Sequence, residues 1–162
     1  CPTTYLSTIV FENKTIIRLT LSFDVIAHQR NHIEFYGSKG SIIIPDPNMF
    51  GGSVYLCQKL GQPWKEYKTQ KMPLGKINIR GKSLRANESP INANYRGVGL
   101  AEMAYCIENK KTHRCNGQLS LHVLDIIQST MKASITGKKQ KIKTTCKIPK
   151  KFTLNEIKKI LN

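Results

Sequence analysis

Asp24 and His28 stand four residues apart at the close of an alternating strand, and His113-Arg114 occupy a short polar stretch between two helical patterns. A carboxylate and an imidazole near a strand end can bind hydroxyl groups or shuttle a proton. They can equally be hydrogen bonds that hold a loop. Arg114 offers a planar donor fork suited to a carboxylate or phosphate, or to the last carbonyls of the helix before it. His122 and Asp125 lie three apart on the polar stripe of a helix, where they can meet each other and face solvent, a cleft or another domain. His32 alternates with Ile33 and Phe35 and reads as a surface strand residue. No Ser-His-Asp or Cys-His arrangement can be argued, because the chain offers no nucleophile elbow.

Gly97-Val-Gly99 invites comparison with a dinucleotide fingerprint and fails it. Position 102 is Glu rather than Gly, and Asn92-Ala-Asn-Tyr95 is not a buried strand leading into the turn. No other glycine-rich loop exists in the chain, so a dinucleotide would have to bind mainly elsewhere. The five cysteines (Cys1, Cys57, Cys106, Cys115, Cys146) are an odd number without a close C-x-x-C spacing. That argues against a zinc site and against a secreted disulfide scaffold, and fits a reducing, cytoplasmic setting. Cys106 falls on a helical apolar stripe and is expected in a core.

Strand signals come first in the elements that must position these residues. Thr4–Phe11 is β-branched and aromatic. After the turn Glu12-Asn13-Lys14, Thr15–Asp24 places Ile17, Leu19, Leu21 and Phe23 on one face and Arg18, Thr20, Ser22 and Asp24 on the other. Such alternation indicates an antiparallel strand with one face on a core. His32–Tyr36 and Ser41–Ile44 flank Gly37-Ser-Lys-Gly40, completing a predicted four-strand meander. Pro45-Asp-Pro-Asn-Met-Phe-Gly-Gly52 must be a loop at a sheet end. Ser53–Gln58 and Trp64–Lys68 are two further strands, and 69–94 reads as an irregular excursion.

Helical signals follow. Leu100, Met103, Ala104 and Ile107 form one apolar stripe, and Leu124, Ile127, Met131 and Ile135 a second that ends at Gly137. Lys141–Cys146 is a candidate returning strand. Thr153-Leu-Asn-Glu156 is a capping box, with Phe152 and Ile157 in staple positions, so a closing helix is expected. Strands before helices make the class α+β with a mostly antiparallel sheet.

At 162 residues the chain fits a single domain, 1–162, able to bury a core. No apolar run is long enough to span a bilayer. The opening on Cys1-Pro2, straight into strand-like sequence, reads as a piece whose upstream half is missing. The net charge of +16 is compatible with an anionic partner. Its lysines are spread along the chain, however, and the densest run, Lys138-Lys-Gln-Lys-Ile-Lys143, lacks interleaved aromatics. A solvated lysine-rich surface is the simpler reading, and nucleic acid an unfavoured partner.

Several stretches, taken together, carry a resemblance. Arg96-Gly-Val-Gly-Leu-Ala-Glu-Met-Ala-Tyr-Cys-Ile107 followed by His113-Arg-Cys-Asn-Gly-Gln-Leu-Ser-Leu-His-Val-Leu-Asp125 is one. Val10-Phe-Glu-Asn13, Ser22-Phe-Asp24 with His28, Ile33-Glu-Phe-Tyr-Gly-Ser-Lys-Gly-Ser41 and Pro45-Asp-Pro-Asn48 with Phe50-Gly-Gly52 are the others. In order and spacing, over roughly residues 4–148, they resemble the C-terminal domain of Gfo/Idh/MocA-type oxidoreductases. The resemblance implies an open, mostly antiparallel sheet with helices packed on one face. It also implies a substrate-binding and oligomerisation domain of an NAD(P)-dependent dehydrogenase acting on a sugar, polyol or related hydroxy compound.

On that reading the partners are the protein's own N-terminal Rossmann domain, a sugar-like small molecule and further copies joined through the sheet, with no membrane. NAD or NADP is bound mainly by the upstream domain. The family's glycine-rich loop, its E-K-P segment and its D-x-x-x-H pair are not in this sequence, so the catalytic residues are expected upstream of Cys1 and the isolated piece is expected to be inactive. Asp24, His28, Asp46, Asn48, Arg96, His113 and Arg114 are the residues expected nearest the cleft. Asp24 and His28 would be hydroxyl ligands, and Arg96 or Arg114 an anchor. The alternatives are a freestanding basic module for an anionic partner and a non-catalytic scaffold relative.

Overall fold

The structure, a computed structural model, describes residues 2–79 and 89–161. Cys1 and the part of the expected irregular excursion at 80–88 lie outside the described residues. The chain is α+β, with mostly antiparallel open sheets and, among the described residues, three α-helices, and it divides into two compact units.

The first unit comprises Cys1–Arg30 and Gly117–Cys146. Its strands β1 (Thr4–Val10) and β2 (Ile16–Ser22) form an antiparallel hairpin with Thr4 opposite Ser22 and Val10 opposite Ile16. The turn between them is held by Asn13, whose Oδ1 accepts the Thr15 N–H at 3.0 Å, with Lys14 at φ 67°. Cross-strand pairing puts Tyr5, Ser7 and Ile9 on the face of Leu21, Leu19 and Ile17. On the opposite face Leu6, Val10 and Ile16 are 77%, 57% and 63% exposed. The face expected on a core is a correction too, since Ile17, Leu21 and Phe23 are 40%, 50% and 94% exposed on a ribbon of only two strands.

Helix α2 (Gly117–Thr136) ends at Gly137, whose φ of 63° stops it as the sequence indicated. Its expected buried stripe is a correction, since Leu124, Ile127, Met131 and Ile135 are all exposed in this structure. The helix residues that line a common cavity with the strand residues Thr4–Thr8 are Thr130, Ala133 and Ser134, so a small and polar face rather than the apolar stripe is turned toward the hairpin. Lys141–Cys146 is not a strand either. The amides of Lys143 and Thr144 donate to Asp125 Oδ2 at 2.8 and 2.9 Å, so a carboxylate takes the donors a ladder would have used.

The second unit comprises Asn31–Asn116 and Lys147–Asn162. Strands β3 (Ile33–Gly37), β4 (Gly40–Ile44), β5 (Ser53–Cys57) and β6 (Lys65–Lys68) pair antiparallel in sequence order. The predicted four-strand meander is therefore divided, because β2 pairs only with β1 and β3 starts a separate sheet. The connection from Phe23 to His32 is longer than the two to five residues, roughly, that force neighbouring strands together.

What reads in sequence as irregular after Thr69 is a backbone knot. The Thr69 hydroxyl accepts the Gly52 N–H at 2.9 Å and lies 2.7 Å from the Gly75 carbonyl. A β-carbon on Gly75 would fall 1.8 Å from the Thr69 carbonyl oxygen, so the crossing requires glycine. The short parallel strands β7 (Ile77–Asn78) and β8 (Asn92–Ala93) lie beside it. Phe50 packs on Tyr95 at 5.0 Å between ring centroids.

Helices α1 (Val98–Glu108) and α3 (Leu154–Leu161) contact each other. The stripe expected to bury α1 is again a correction, because Leu100 and Ile107 are 67% and 69% exposed. Glu102 and Cys106, one turn apart, are buried instead, and Cys106 is the core thiol the sequence indicated. The capping box forms as predicted: the Glu156 N–H donates to Thr153 Oγ1 at 3.2 Å, and the Thr153 N–H to Glu156 Oε2 at 2.8 Å.

Candidate functional site

In the second unit the register Ile33↔Ile44 brings the residue before β3 and the loop after β4 to one end of the sheet. His32 and Asp46 meet there, with Nε2 and Oδ2 3.8 Å apart and both side chains part-exposed. Asp46 also caps a 3₁₀ turn at Pro47–Met49 by accepting the Asn48 N–H at 2.9 Å. One carboxylate oxygen thus shapes the loop while the other lies near an imidazole. Such a pair can accept and donate hydrogen bonds to hydroxyl groups or move a proton. Sequence reasoning placed His32 on the strand surface and missed the pairing. Counting back from the Gly37–Gly40 turn along both strands would have revealed it.

Arg114 is the centre of a second cluster. Its Nη1 donates to Glu102 at 2.7 Å, its Nη2 to Glu156 at 3.1 Å, and its Nε to the Lys150 carbonyl at 2.7 Å. The guanidinium also stacks 3.7 Å from the Phe152 ring centroid. Burial disfavours its charge, yet the hydrogen bonds to Glu102 and Glu156 outweigh this and raise its pKa. Glu156 is lowered to about 2, chiefly by the Thr153 amide and hydroxyl, then by Arg114. The cluster fastens α3 and the 150–153 segment to α1. Arg114 is engaged inside its own unit rather than offered as an anchor to solvent.

The other expected site residues are distributed plainly. Asp24 and His28 belong to the first unit, and Asp46, Asn48, Arg96, His113 and Arg114 to the second. Asp24 Oδ2 accepts from the hydroxyls of Thr3 and Thr4 and so ties the open end of the β1–β2 hairpin. His28, Asn48 and Arg96 are exposed. The Arg96 amide donates to Asn94 Oδ1 at 3.0 Å, and the His113 carbonyl accepts from Asn116 at 3.2 Å. His122 and Asp125 meet through Thr144, whose Oγ1 is 3.0 Å from His122 Nδ1 and 2.9 Å from Asp125 Oδ2. The Thr144 and Lys143 amides hold the Asp125 pKa below its usual value.

Gly97 is the left-handed residue that opens α1, at φ 79°, and Glu102 occupies the place of a third fingerprint glycine with its side chain buried against Arg114. These residues do not fit a dinucleotide pyrophosphate. Among the described residues no group of three or more His, Cys, Asp or Glu is placed to hold a metal ion, and no helix is long and apolar enough to cross a membrane. In comparison with known proteins, the chain matches no family model, no curated protein and no solved structure.

Proposed function

We propose that this chain is the substrate-binding and oligomerisation domain of an NAD(P)-dependent dehydrogenase acting on a sugar, polyol or related hydroxy compound. The ordered set of stretches that resembles Gfo/Idh/MocA C-terminal domains carries the reading. The polar end of the second unit's sheet supports it, since it brings an imidazole and a carboxylate, His32 and Asp46, within 3.8 Å of each other, groups of the kind that bind hydroxyls. Exposed Leu6, Val10 and Ile16 on one hairpin face suit association of copies through the sheet. On this reading NAD or NADP and the hydride-transfer residues belong to a domain encoded upstream of Cys1, and the chain alone is inactive.

The test is direct. The reading frame upstream of Cys1 is sequenced, and its full product is assayed for nicotinamide reduction across a panel of sugars and polyols. A glycine-rich loop with a D-x-x-x-H pair, and turnover that falls in His32→Ala and Asp46→Ala, are expected. A frame without that loop, or a product without turnover on any of the panel, overturns the proposal.

One observation favours a second reading, a basic module for a polyanion. Among the described residues no lysine forms an ion pair with a carboxylate, so the positive charge is largely uncompensated. Binding to duplex DNA that weakens steeply with added salt would support it. No binding at low salt would end it.

A further inference from the structure

The loop joining β5 to β6 builds a groove at the far end of the second unit's sheet from His32 and Asp46. The antiparallel register Ser41↔Cys57 sets Gln58 beside the β3–β4 turn, whereas Asp46 follows the other end of β4. The groove has a volume of about 470 Å³ and is lined by Leu56, Gln58, Gln62, Pro63, Trp64 and Lys65. Its shape is set by the backbone. The Gln62 N–H donates to the Lys59 carbonyl at 3.2 Å across a turn with Gly61 at φ 78°. The Cys57 thiol reaches the Lys59 and Gln62 carbonyls at 3.4 and 3.5 Å. Gly40 closes in from the neighbouring turn, where a β-carbon would lie 2.6 Å from the Cys57 carbonyl oxygen.

Trp64 is the chain's one tryptophan and is 44% exposed on this rim. An indole and two primary amides lining one groove are suited to a ring with an apolar C–H face and a polar edge. The indole takes the face, while Gln58 and Gln62 each offer donors and an acceptor to hydroxyls. A flat aromatic ligand would leave the amides unmatched. The volume lies within the range usual for small-ligand sites.

We infer that the Trp64 groove is a binding site for a sugar ring, separate from the residues of the proposed dehydrogenase cleft. The inference does not rest on the dehydrogenase reading. The purified chain is titrated with D-glucose, N-acetylglucosamine and cellobiose while Trp64 emission is followed, and one indole makes the signal unambiguous. A saturable blue shift with at least one probe, half-complete in the millimolar range, is expected. Gln58→Ala and Gln62→Ala keep the reporter and should each weaken binding about fivefold, the value of one hydrogen bond. Trp64→Phe should retain weaker binding when followed by amide NMR shifts at residues 58–65, and this guards against a variant that merely fails to fold. Absence of saturable change with all three sugars overturns the inference. So does a shift undiminished in the Gln58→Ala/Gln62→Ala double variant, or one that tracks protein concentration alone and so reports self-association.

Discussion

Arg114→Ala is the substitution with the largest expected effect on the second unit. The Glu102 side chain is 4% exposed, and its carboxylate is satisfied by the Arg114 guanidinium at 2.7 Å and the Arg114 amide at 3.1 Å. Truncation at Cβ leaves only the amide, so a nearly dry carboxylate loses its counter-charge. Breaking a buried pair from one side costs about 3–5 kcal/mol. The lost stack on Phe152 adds about 0.5–1 kcal/mol. The bonds to Glu156 and the Lys150 carbonyl lie nearer solvent and contribute little more. Against the roughly 5–15 kcal/mol of a typical domain, about a quarter or more of the stability disappears.

Urea unfolding followed by Trp64 emission measures this unit, whereas far-UV circular dichroism reads the helices of both units together. The midpoint should fall sharply with an unchanged slope. A double variant, Glu102→Leu/Arg114→Leu, removes both charges and should regain most of the loss, because the penalty lies in the orphaned charge rather than in the absent bond. A loss below about 1 kcal/mol in Arg114→Ala would refute the reasoning. A double variant no better than the single one would refute it too.

Three further outcomes follow from other elements. Glu156 has a folded-state pKa near 2, below its ordinary 4.5. Its stabilising contribution is therefore complete above pH 4.5 and disappears as pH falls toward 2. The carboxyl is 42% exposed, so solvent screening leaves about 1 kcal/mol, and Glu156→Gln should flatten the acid limb of a stability–pH curve. Asp125→Ala should raise hydrogen exchange at the Lys143 and Thr144 amides, read by NMR, and leave the β1–β2 amides protected; unchanged protection at 143 and 144 would count against the Asp125 tie. Gly40→Val must strain a residue at φ 140° and press on the Cys57 carbonyl, so it should cost about 1–3 kcal/mol in urea unfolding. A neutral substitution there would contradict the close approach of the two turns.

Much of the local structure was legible because its causes lie within a few residues. Alternation in Ile17, Leu19 and Leu21 placed β2, and Thr153 with Glu156 placed the start of α3. Gly137 placed the end of α2. Which helical face turns inward was less legible. The apolar stripe through Leu100 and Ile107 suggested one side of α1, yet the Arg114 guanidinium draws Glu102 and Cys106 to the interior. Position 102 drew notice in the sequence only as a missing glycine. Its carboxylate acquires meaning when a residue twelve places later folds back against it.

The candidate site divides in the same way. Asp46 stood out in sequence as a polar residue in a proline-rich loop, and it does shape that loop. Its partner His32 emerged only when two strands paired in register. Gly51 and Gly75 likewise looked like ordinary loop residues until Thr69 and the strands around it crossed at backbone distance.

By itself, then, the sequence determined the α+β class, most of the strands, the helices, and the helix signals at Gly137 and Thr153, because periodicity, capping and turn chemistry act over a few residues. Tertiary structure alone decided the division into two units, the buried Glu102–Arg114 pair and the meeting of His32 with Asp46. These depend on strand register and on the desolvation of charges brought together from distant parts of the chain.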